Sequence, residues 1–307
     1  MKYLMVLKQN DHRQKLLEEG YCVIESVFLP EELSRIKEVS LKALSDLPPA
    51  HRERNKSQGS LILIADYPEF SDLIAHPALF KVFHDLGFVD TRFSSGYIIS
   101  KPVQSPALFW HQDWWGWGDP ISYTDQIAQV FVMIYLQDTA KNNGCLRVLP
   151  GSHRKIHGLH ENEKAHTEGV SRVENPEDPL YQSVEGEREV SVNFGDVVIG
   201  DARLIHGAYP NQSDQERTLI TLWYHPDYSQ LPEPMQTRIH EIFVRKGVDT
   251  DPDGLESMTL LQWPEKQRIS VESFFPSCPE NVIAESWNRK PIMENICLLY
   301  TSAAAAE

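Results

Sequence analysis

The chain has 307 residues, of which 41% are hydrophobic and 24% charged, as expected for a globular protein with a sizeable core. Its 29 basic and 44 acidic side chains give a formal net charge of −15, which argues against nucleic acid or an anionic membrane as a partner. The 4 cysteines form no CxxC pair and no apolar run suits a signal peptide or a membrane span, so we expect a cytoplasmic protein.

The first 90 residues predict helices around one strand. Gly20 would close the first helix and Pro30 would begin the second, because proline is favoured in the first turn of a helix. A mostly apolar stripe at helical spacing follows Pro30, formed by Leu33, Ile36, Ser40, Leu44 and Leu47. The predicted segments are a helix at 11–20, a strand at 21–28, a helix at 30–47, a mobile polar loop at 50–60, and helical turns at 68–87 interrupted by Pro77.

From about residue 90 the pattern changes to short segments rich in valine, isoleucine, tyrosine and threonine, separated by turn-forming residues. These segments predict strands at 92–102, 126–138, 145–150, 188–194, 196–201 and 217–226. Many short strands after helices favour an antiparallel sandwich or barrel that carries helices on one side. The predicted fold class is therefore mainly β with flanking helices.

Two long segments fall outside this pattern. Residues 154–186 are polar and irregular, which is typical of a lid or insert loop, and no apolar scaffold fixes their histidines as metal ligands. Residues 231–300 predict a C-terminal extension. Its predicted parts, with the chain end, are a helix at 235–247, an acidic turn at 249–254 that lacks the final glutamate of a calcium loop, and a tail or cloning remainder at 301–307.

The stretch FWHQDWWGWGDP holds a histidine and a carboxylate two positions apart, His111 and Asp113. On a strand such residues point to the same face, so both side chains can enter one cavity. His206, far along the chain, would add a second imidazole. Two imidazoles and one carboxylate occupy one face of an octahedron and leave other positions open, which suits non-haem Fe(II) oxygen chemistry. An HxD pair is common by chance. The prediction of an iron site therefore depends on finding His206 and an arginine together with the pair.

That arginine is Arg217, which begins a predicted strand eleven positions after His206. A planar guanidinium can hold a carboxylate through two hydrogen bonds. At the end of the cavity it would bind the far carboxylate of a keto diacid such as 2-oxoglutarate, whose other end chelates iron. The period of two along a strand places Leu219, Thr221 and Trp223 on the same face as Arg217.

Five segments together resemble the phytanoyl-CoA dioxygenase family of Fe(II)- and 2-oxoglutarate-dependent oxygenases. They are EEGYCVIESVFLPEEL, FWHQDWW, NNGCLRVLPGSH, FGDVVIGDARLIHGAYPN and ERTLITLWYHP, in family order over about residues 15–226. NGCLRVLPGSH is specific, because composition gives no reason for that string. The resemblance implies a double-stranded β-helix, or jelly-roll, core with helices on one sheet. It also implies a single oxygenase domain over residues 1–300, with its core at about 15–230.

By this resemblance His111, Asp113 and His206 are the iron ligands and Arg217 binds 2-oxoglutarate. Gln129 lies where the family often places another contact with the cosubstrate. Relatives that halogenate carry glycine or alanine in place of the aspartate, so Asp113 favours hydroxylation-type outcomes. The implied reaction uses Fe(II), 2-oxoglutarate and O2 to oxidise an unactivated C–H bond of a small molecule, with release of succinate and CO2. Hydroxylation, desaturation and ring closure all stay open, and the implied substrate is a specialised metabolite or an amino-acid derivative.

The tryptophans beside the HxD pair divide into two groups. Trp110 precedes the ligand histidine and should face away from it, into the core. Trp114, Trp115 and Trp117 lie in a glycine-rich loop at the mouth of the predicted site. We expect one or more of them to line the substrate pocket, and packing in the core is the alternative for each.

Several polar residues near these motifs could either contact the substrate or metal or support the fold. Arg147 and Asn143 are candidates for substrate contact. His153 in PGSH is predicted to support a turn rather than to be a fourth metal ligand, and His225 to be a strand-end residue. Asp201 could orient a ligand or cap a turn.

Two other functions stay open. A metal-dependent lyase or isomerase on a similar barrel would have no need for Arg217 at this spacing. A non-catalytic metal-binding module would be expected to have lost one of the four key residues. The C-terminus shows no peroxisomal signal, which weighs against the particular substrate of the peroxisomal phytanoyl-CoA enzyme. The sequence does not set the oligomeric state.

Overall fold

A computed structural model describes residues 2–162, 164–244 and 260–296, with the backbone alone for residues 2–10. Within these ranges the strands are β1 Tyr21–Ile24, β2 Ile62–Leu63, β3 Arg92–Lys101, β4 Leu108–His111, β5 Val130–Tyr135, β6 Leu146–Val148, β7 Arg188–Val190, β8 Val197–Asp201, β9 His206–Ala208 and β10 Arg217–His225. The α-helices are α1 Lys2–Glu19, α2 Pro30–Ser45, α3 Pro49–Arg54, α4 Ser71–Ile74, α5 Pro77–Asp85, α6 Glu168–Ser171, α7 Glu233–Val244 and α8 Glu265–Val271.

The strands form two antiparallel sheets. The larger has the order β1-β8-β5-β10-β3-β2 and the smaller the order β4-β9-β6-β7. The two short strands β4 and β9, which the strand pattern did not predict, pair with each other in the smaller sheet. This arrangement confirms the predicted mainly-β class with flanking helices.

Strand β5 shows how the two cores are separated. Its residues alternate between faces because successive side chains of a strand point in opposite directions. Phe131, Met133 and Tyr135 pack between the two sheets, with Leu146 of the smaller sheet. The alternate residues Val130, Val132 and Ile134 pack on the outer face of the larger sheet, against the helices. Strand β5 has no polar residue because both faces of the sheet are buried at this strand.

The second helix follows the predicted pattern. It begins at Pro30, and the Glu32 carboxylate accepts a hydrogen bond from the Leu29 N–H at 2.7 Å, which satisfies one backbone donor at the helix start. The predicted stripe is buried at Leu33, Ile36, Ser40 and Leu44. The first helix ends as predicted at Gly20, which takes a left-handed conformation with φ of 85°, but it begins earlier than predicted.

Residues 50–60 are not the predicted open loop. They contain α3 and a turn whose polar side chains, including Ser57 and Ser60, are buried. The Ser57 hydroxyl donates to Ala107 O at 3.1 Å and the Ser60 hydroxyl to Ile98 O at 3.2 Å. A polar sequence therefore lies inside the protein because neighbouring strands satisfy its hydrogen bonds.

Gly59 closes this turn and allows a testable prediction. Its φ is 92°, and a Cβ at this position would lie 2.1 Å from Ser100 O. Gly59→Ala is therefore expected to lower the free energy of unfolding by about 2–4 kcal/mol, measured by urea denaturation. Gly87→Ala is the matched control, because Gly87 has a similar φ of 82° with open space around it. Equal losses in the two variants would contradict the steric argument.

Helix α7 accounts for most of the predicted helix at 235–247. The predicted acidic turn at 249–254 and the predicted tail at 301–307 lie outside the described residues. None of the helices in the described ranges has the length and apolar character needed to cross a membrane.

Candidate metal centre

The two predicted ligand histidines are brought together by strand pairing. His111 is the last residue of β4 and lies opposite His206, the first residue of β9. Their ring centroids are 4.2 Å apart. Backbone pairing between distant parts of the chain thus fixes the distance between the two imidazoles.

Asp113 reaches the same place by a different route from the one predicted. Strand β4 ends at His111, so Asp113 does not share a strand face with it. Instead the N–H groups of Asp113 and Trp114 both donate to Ala202 O at 2.9 Å. These bonds fold the loop back toward the histidines, so the expectation of convergence was correct and the reason given for it was wrong.

The three side chains form a compact donor set. The Nε2 atoms of His111 and His206 lie 3.5 and 3.6 Å from the two carboxylate oxygens of Asp113. One possible ligand atom from each residue lies within 4.8 Å of the others. In the part of the chain that the structure describes, no other group of three histidine, cysteine, aspartate or glutamate residues converges in this way.

Backbone carbonyls orient both imidazoles. The Nδ1 atom of His111 lies 2.9 Å from Phe109 O, and that of His206 lies 3.0 Å from Leu204 O. A carbonyl oxygen can only accept, so each Nδ1 carries the proton and each Nε2 lone pair faces the centre. Burial, and secondarily the neighbouring His206, lower the pKa of His111 to about 4, so its ring is neutral at pH 7. Two imidazoles and a carboxylate are ligands that Fe(II) accepts.

A side-chain hydrogen bond orients the Asp113 carboxylate as well. Trp223 Nε1 donates to Asp113 Oδ2 at 2.9 Å. The period of two along β10 placed Trp223 on the face of Arg217, but nothing in the pattern singled it out as a partner of Asp113. Its indole fixes Oδ2, the oxygen nearer His206, and leaves Oδ1 toward His111.

Trp223→Phe should therefore weaken Fe(II) binding about 10- to 100-fold, because the carboxylate loses the hydrogen bond that orients it. The measurement is an anaerobic Fe(II) titration against a chromophoric chelator. Trp263→Phe is the matched control, since its indole also donates one hydrogen bond, to Ala65 O, but far from the centre. Equal Fe(II) affinities in the two variants would show that the indole has no part in the site.

Arg217 has the features of an anion-binding group without its anion. It is only 2% exposed, and its Nε and Nη1 atoms have no hydrogen-bond partner. Among the described residues no carboxylate lies within ion-pair distance of it, and its guanidinium carbon lies 5.8 Å from the Tyr135 ring centroid. A buried guanidinium is costly without a partner, so these unpaired atoms fit the far carboxylate of 2-oxoglutarate. Thr221, on the same face of β10, also has a buried hydroxyl without a partner.

Two cavities adjoin the centre. The larger, of about 250 Å³, is lined by His111 and His166, and the smaller, of about 150 Å³, by Asp113 and Gln129. The buried Gln129 donates from Nε2 to Ser94 Oγ at 3.4 Å. Trp287 and Arg289 line both cavities, but the sequence did not single them out. They lie in an irregular part of the C-terminal extension, where no periodic pattern could reveal them.

The three loop tryptophans have different surroundings. Trp115 lines the smaller cavity and stacks on Trp287, with ring centroids 5.0 Å apart and planes at 5°. Trp114 and Trp117 line neither cavity and pack in a cluster with residues of α7. Trp110, predicted to face away into the core, is buried with its indole donating to Gln182 O, but it also lines the larger cavity.

Arg147 and Asn143 form mainly backbone contacts. The buried Arg147 guanidinium donates to the carbonyl oxygens of Leu108, Tyr181 and Gln182 and stacks on Trp110, and it lines neither cavity. Asn143 donates to Asp138 O and accepts from the Ala140 N–H within a turn. These contacts give both residues a structural role.

The remaining polar candidates lie apart from the donor set. His153 Nε2 lies 3.0 Å from Leu17 O, and His225 Nδ1 lies 2.8 Å from Ala128 O. Asp201 forms a buried ion pair with Arg203 at 2.7 Å, and it also accepts from the Arg203 N–H, as a turn-capping residue does. Arg203 in turn donates to the carbonyl oxygens of Ser122, Thr124 and Gln126.

Comparisons with known proteins agree with this architecture. The model of the family described as Phytanoyl-CoA dioxygenase (PhyH) matches residues 16–219. The "Probable alpha-ketoglutarate-dependent hypophosphite dioxygenase" of Stutzerimonas stutzeri is 26% identical over 231 residues, which cover 70% of this chain and 77% of that protein. "Phytanoyl-CoA dioxygenase 1" of Oryza sativa subsp. japonica is 30% identical over 128 residues, 42% of each chain.

Solved structures show the same fold. The epimerase SnoN from nogalamycin biosynthesis superposes with a TM-score of 0.55 at 17% identity, over 72% of this chain and 84% of its own. HygX from Streptomyces hygroscopicus, with nickel, 2-oxoglutarate and hygromycin B bound, superposes with a TM-score of 0.52 at 19% identity, over 70% and 86% of the two chains. These likenesses confirm the predicted jelly-roll core.

Proposed function

The chain belongs to the phytanoyl-CoA dioxygenase family of Fe(II)- and 2-oxoglutarate-dependent oxygenases, and we propose that it oxidises an unactivated C–H bond of a small organic molecule. The convergence of His111, Asp113 and His206 on one point carries this proposal. The bound iron and 2-oxoglutarate supply the oxidising chemistry, in which O2 and 2-oxoglutarate become succinate and CO2.

We assign the three converging residues as the iron ligands. The support is the orientation of the donor atoms: both Nε2 lone pairs and one Asp113 oxygen face a common centre, while the other Asp113 oxygen is held by Trp223. Three protein ligands leave positions for the cosubstrate and O2. The ligands are preorganised, because strand pairing and backbone hydrogen bonds hold each of them.

We assign Arg217 as the residue that binds the far carboxylate of 2-oxoglutarate, and Gln129 as a further polar contact near the metal. The support for Arg217 is its burial with two unpaired donors. A metal-dependent lyase or isomerase would have no use for such a group, so this residue favours the oxygenase over that alternative. The apolar residues between the sheets exclude water around the cosubstrate.

The proposed substrate is a small organic molecule. We propose a specialised metabolite or an amino-acid derivative, oxidised in the cytoplasm by a single domain over residues 1–300. We also propose that 154–186 and the C-terminal extension cover the site, because residues of both line the larger cavity. Hypophosphite, which offers P–H rather than C–H bonds, is the alternative substrate to be tested, since one relative is named for it.

The test is a substrate screen with purified Fe(II)-loaded protein. The expected result is succinate release that requires Fe(II) and O2 and rises with one class of compound. The product should have gained one oxygen atom or lost two hydrogen atoms. Succinate formation that persists without Fe(II) would contradict the proposal.

A further inference from the structure

Few acidic side chains line the cavities at the metal centre, although the protein as a whole is acidic. The chain has a formal net charge of −15, yet among the described residues that line the two cavities Asp113 is the sole carboxylate. Arg289 lines both cavities, and Lys290 lines the larger one. The larger cavity therefore has cationic side chains and no carboxylate among its described lining residues, and such a site favours an anionic ligand.

Arg289 is held at the centre by groups that do not neutralise it. Its Nη1 atom lies 3.1 Å from His166 Nε2 and 3.5 Å from Gln112 O. In the described ranges no carboxylate lies within ion-pair distance of its guanidinium. When Asp113 binds iron and Arg217 binds the cosubstrate, Arg289 is left as the cation without an anion.

The position of Arg289 is set by the backbone. The Asn288 N–H donates to Trp115 O at 2.8 Å, and the Trp117 N–H donates to Asn288 O at 3.2 Å. These two bonds join the extension to the loop that follows Asp113. Arg289 is therefore preorganised beside the metal ligands, as a recognition residue should be.

Two stacked tryptophans lie beside the Arg289 guanidinium. Trp287 and Trp115 are stacked, and the Arg289 guanidinium lies 5.0 Å from the Trp287 ring centroid. Cation–π contact stabilises the guanidinium in place, and the indoles offer an apolar surface in the cavities. This combination suits a ligand with an anionic head and an apolar body.

We propose that Arg289 binds the anionic head of the substrate, a carboxylate or phosphonate, while Trp287 and Trp115 contact its apolar body. This inference rests on the proposed function, because it places the substrate at the iron centre. A planar guanidinium matches both oxyanions through two parallel hydrogen bonds. Both cavities border the metal ligands, so a head held by Arg289 leaves the body of the substrate within reach of the centre.

The experiment uses anaerobic protein saturated with Fe(II) and 2-oxoglutarate. Hexanoate, phenylacetate and benzylphosphonate are titrated by calorimetry, each carboxylate against its primary amide. We expect the anions to bind at least about 10-fold more tightly than the amides, as a hydrogen bond to a charged group requires. In Arg289→Gln this preference should disappear, and in Arg289→Lys it should be retained in part. If phenylacetate binds and benzylphosphonate does not, the head is a carboxylate, and the reverse result identifies a phosphonate.

Arg172→Gln is the control, because it removes the same charge from an exposed residue of 154–186 that pairs with Glu168. It should bind the anions as the wild-type protein does. An equal affinity of the wild-type protein for anions and amides would overturn the proposal, and so would a preference that survives in Arg289→Gln. The visible band of the Fe(II)–2-oxoglutarate complex distinguishes failure of the proposed function from failure of the Arg289 proposal. Absence of the band contradicts the proposed function. A normal band without a preference for anions contradicts the Arg289 proposal alone.

Discussion

His206→Ala is expected to abolish stoichiometric Fe(II) binding and to reduce turnover of 2-oxoglutarate by more than about 100-fold, since loss of a residue that only orients a ligand already costs that much. The reason is the geometry of the centre. His206 is buried, its Nδ1 proton is engaged by Leu204 O, and its Nε2 atom lies 3.6 Å from Asp113. Alanine removes one of the three donors that converge on the centre.

The measurement is iron content per chain after anaerobic loading and desalting, together with succinate formation. His84→Ala is the matched control, since it removes an imidazole that is 87% exposed on α5. The control should keep one iron per chain. A His206→Ala protein that retains full iron content would show that His206 is not a ligand.

Arg217→Gln is expected to raise the dissociation constant of 2-oxoglutarate by about 100-fold or more, because truncating one partner of a buried charge pair typically costs 2–5 kcal/mol. Fe(II) binding should be unchanged, since His111 and His206 lie on β4 and β9 and Asp113 lies on the loop after β4. Arg217→Lys should recover only part of the affinity, because an ammonium lacks the planar fork of a guanidinium. The measurement is an anaerobic titration of the Fe(II) protein with 2-oxoglutarate.

Thermal unfolding provides an independent measurement of the contact between Arg217 and 2-oxoglutarate. The buried Arg217 guanidinium has two unpaired donors, so a bound dicarboxylate should raise the melting temperature of the wild-type protein. The rise should be much smaller in Arg217→Gln. Arg188→Gln, which removes an exposed arginine paired with Glu19, is the control and should respond as the wild type does. Equal responses of all three proteins would remove Arg217 from the cosubstrate site.

Much of the site could be predicted because regular structure carries it. The period of two along β10 placed Trp223 on the same face as Arg217, and Trp223 does pack between the two sheets. His206 was expected to complete the HxD pair, and strand pairing brings it opposite His111. Where side chains alternate along a strand, the sequence pattern predicts which face of the sheet each one occupies.

The rest of the site depends on contacts that leave no pattern. Asp113 is positioned by backbone donors to Ala202 O, which any residue could provide. Arg289 is likewise positioned by two backbone hydrogen bonds of Asn288. The buried turn after α3 looks like a surface loop by composition, because its partners are carbonyl groups of distant strands. Composition and periodicity do not encode such contacts.

The position of Arg289 also bears on how function divides along the chain. The family match covers residues 16–219, which include the metal ligands and Arg217. Trp287 and Arg289 lie outside it, in the C-terminal extension. The shared chemistry and the proposed substrate recognition therefore lie on different parts of the chain, as is common when binding residues are added to a rigid scaffold.

The central claim is that His111, Asp113 and His206 hold an iron ion that 2-oxoglutarate chelates. The most direct measurement is the anaerobic absorption spectrum of the wild-type protein and His206→Ala, with Fe(II) and 2-oxoglutarate added separately and together. We expect a weak visible charge-transfer band in the wild type only when both are present, and no such band in His206→Ala. A band of unaltered intensity in His206→Ala would contradict the ligand assignment.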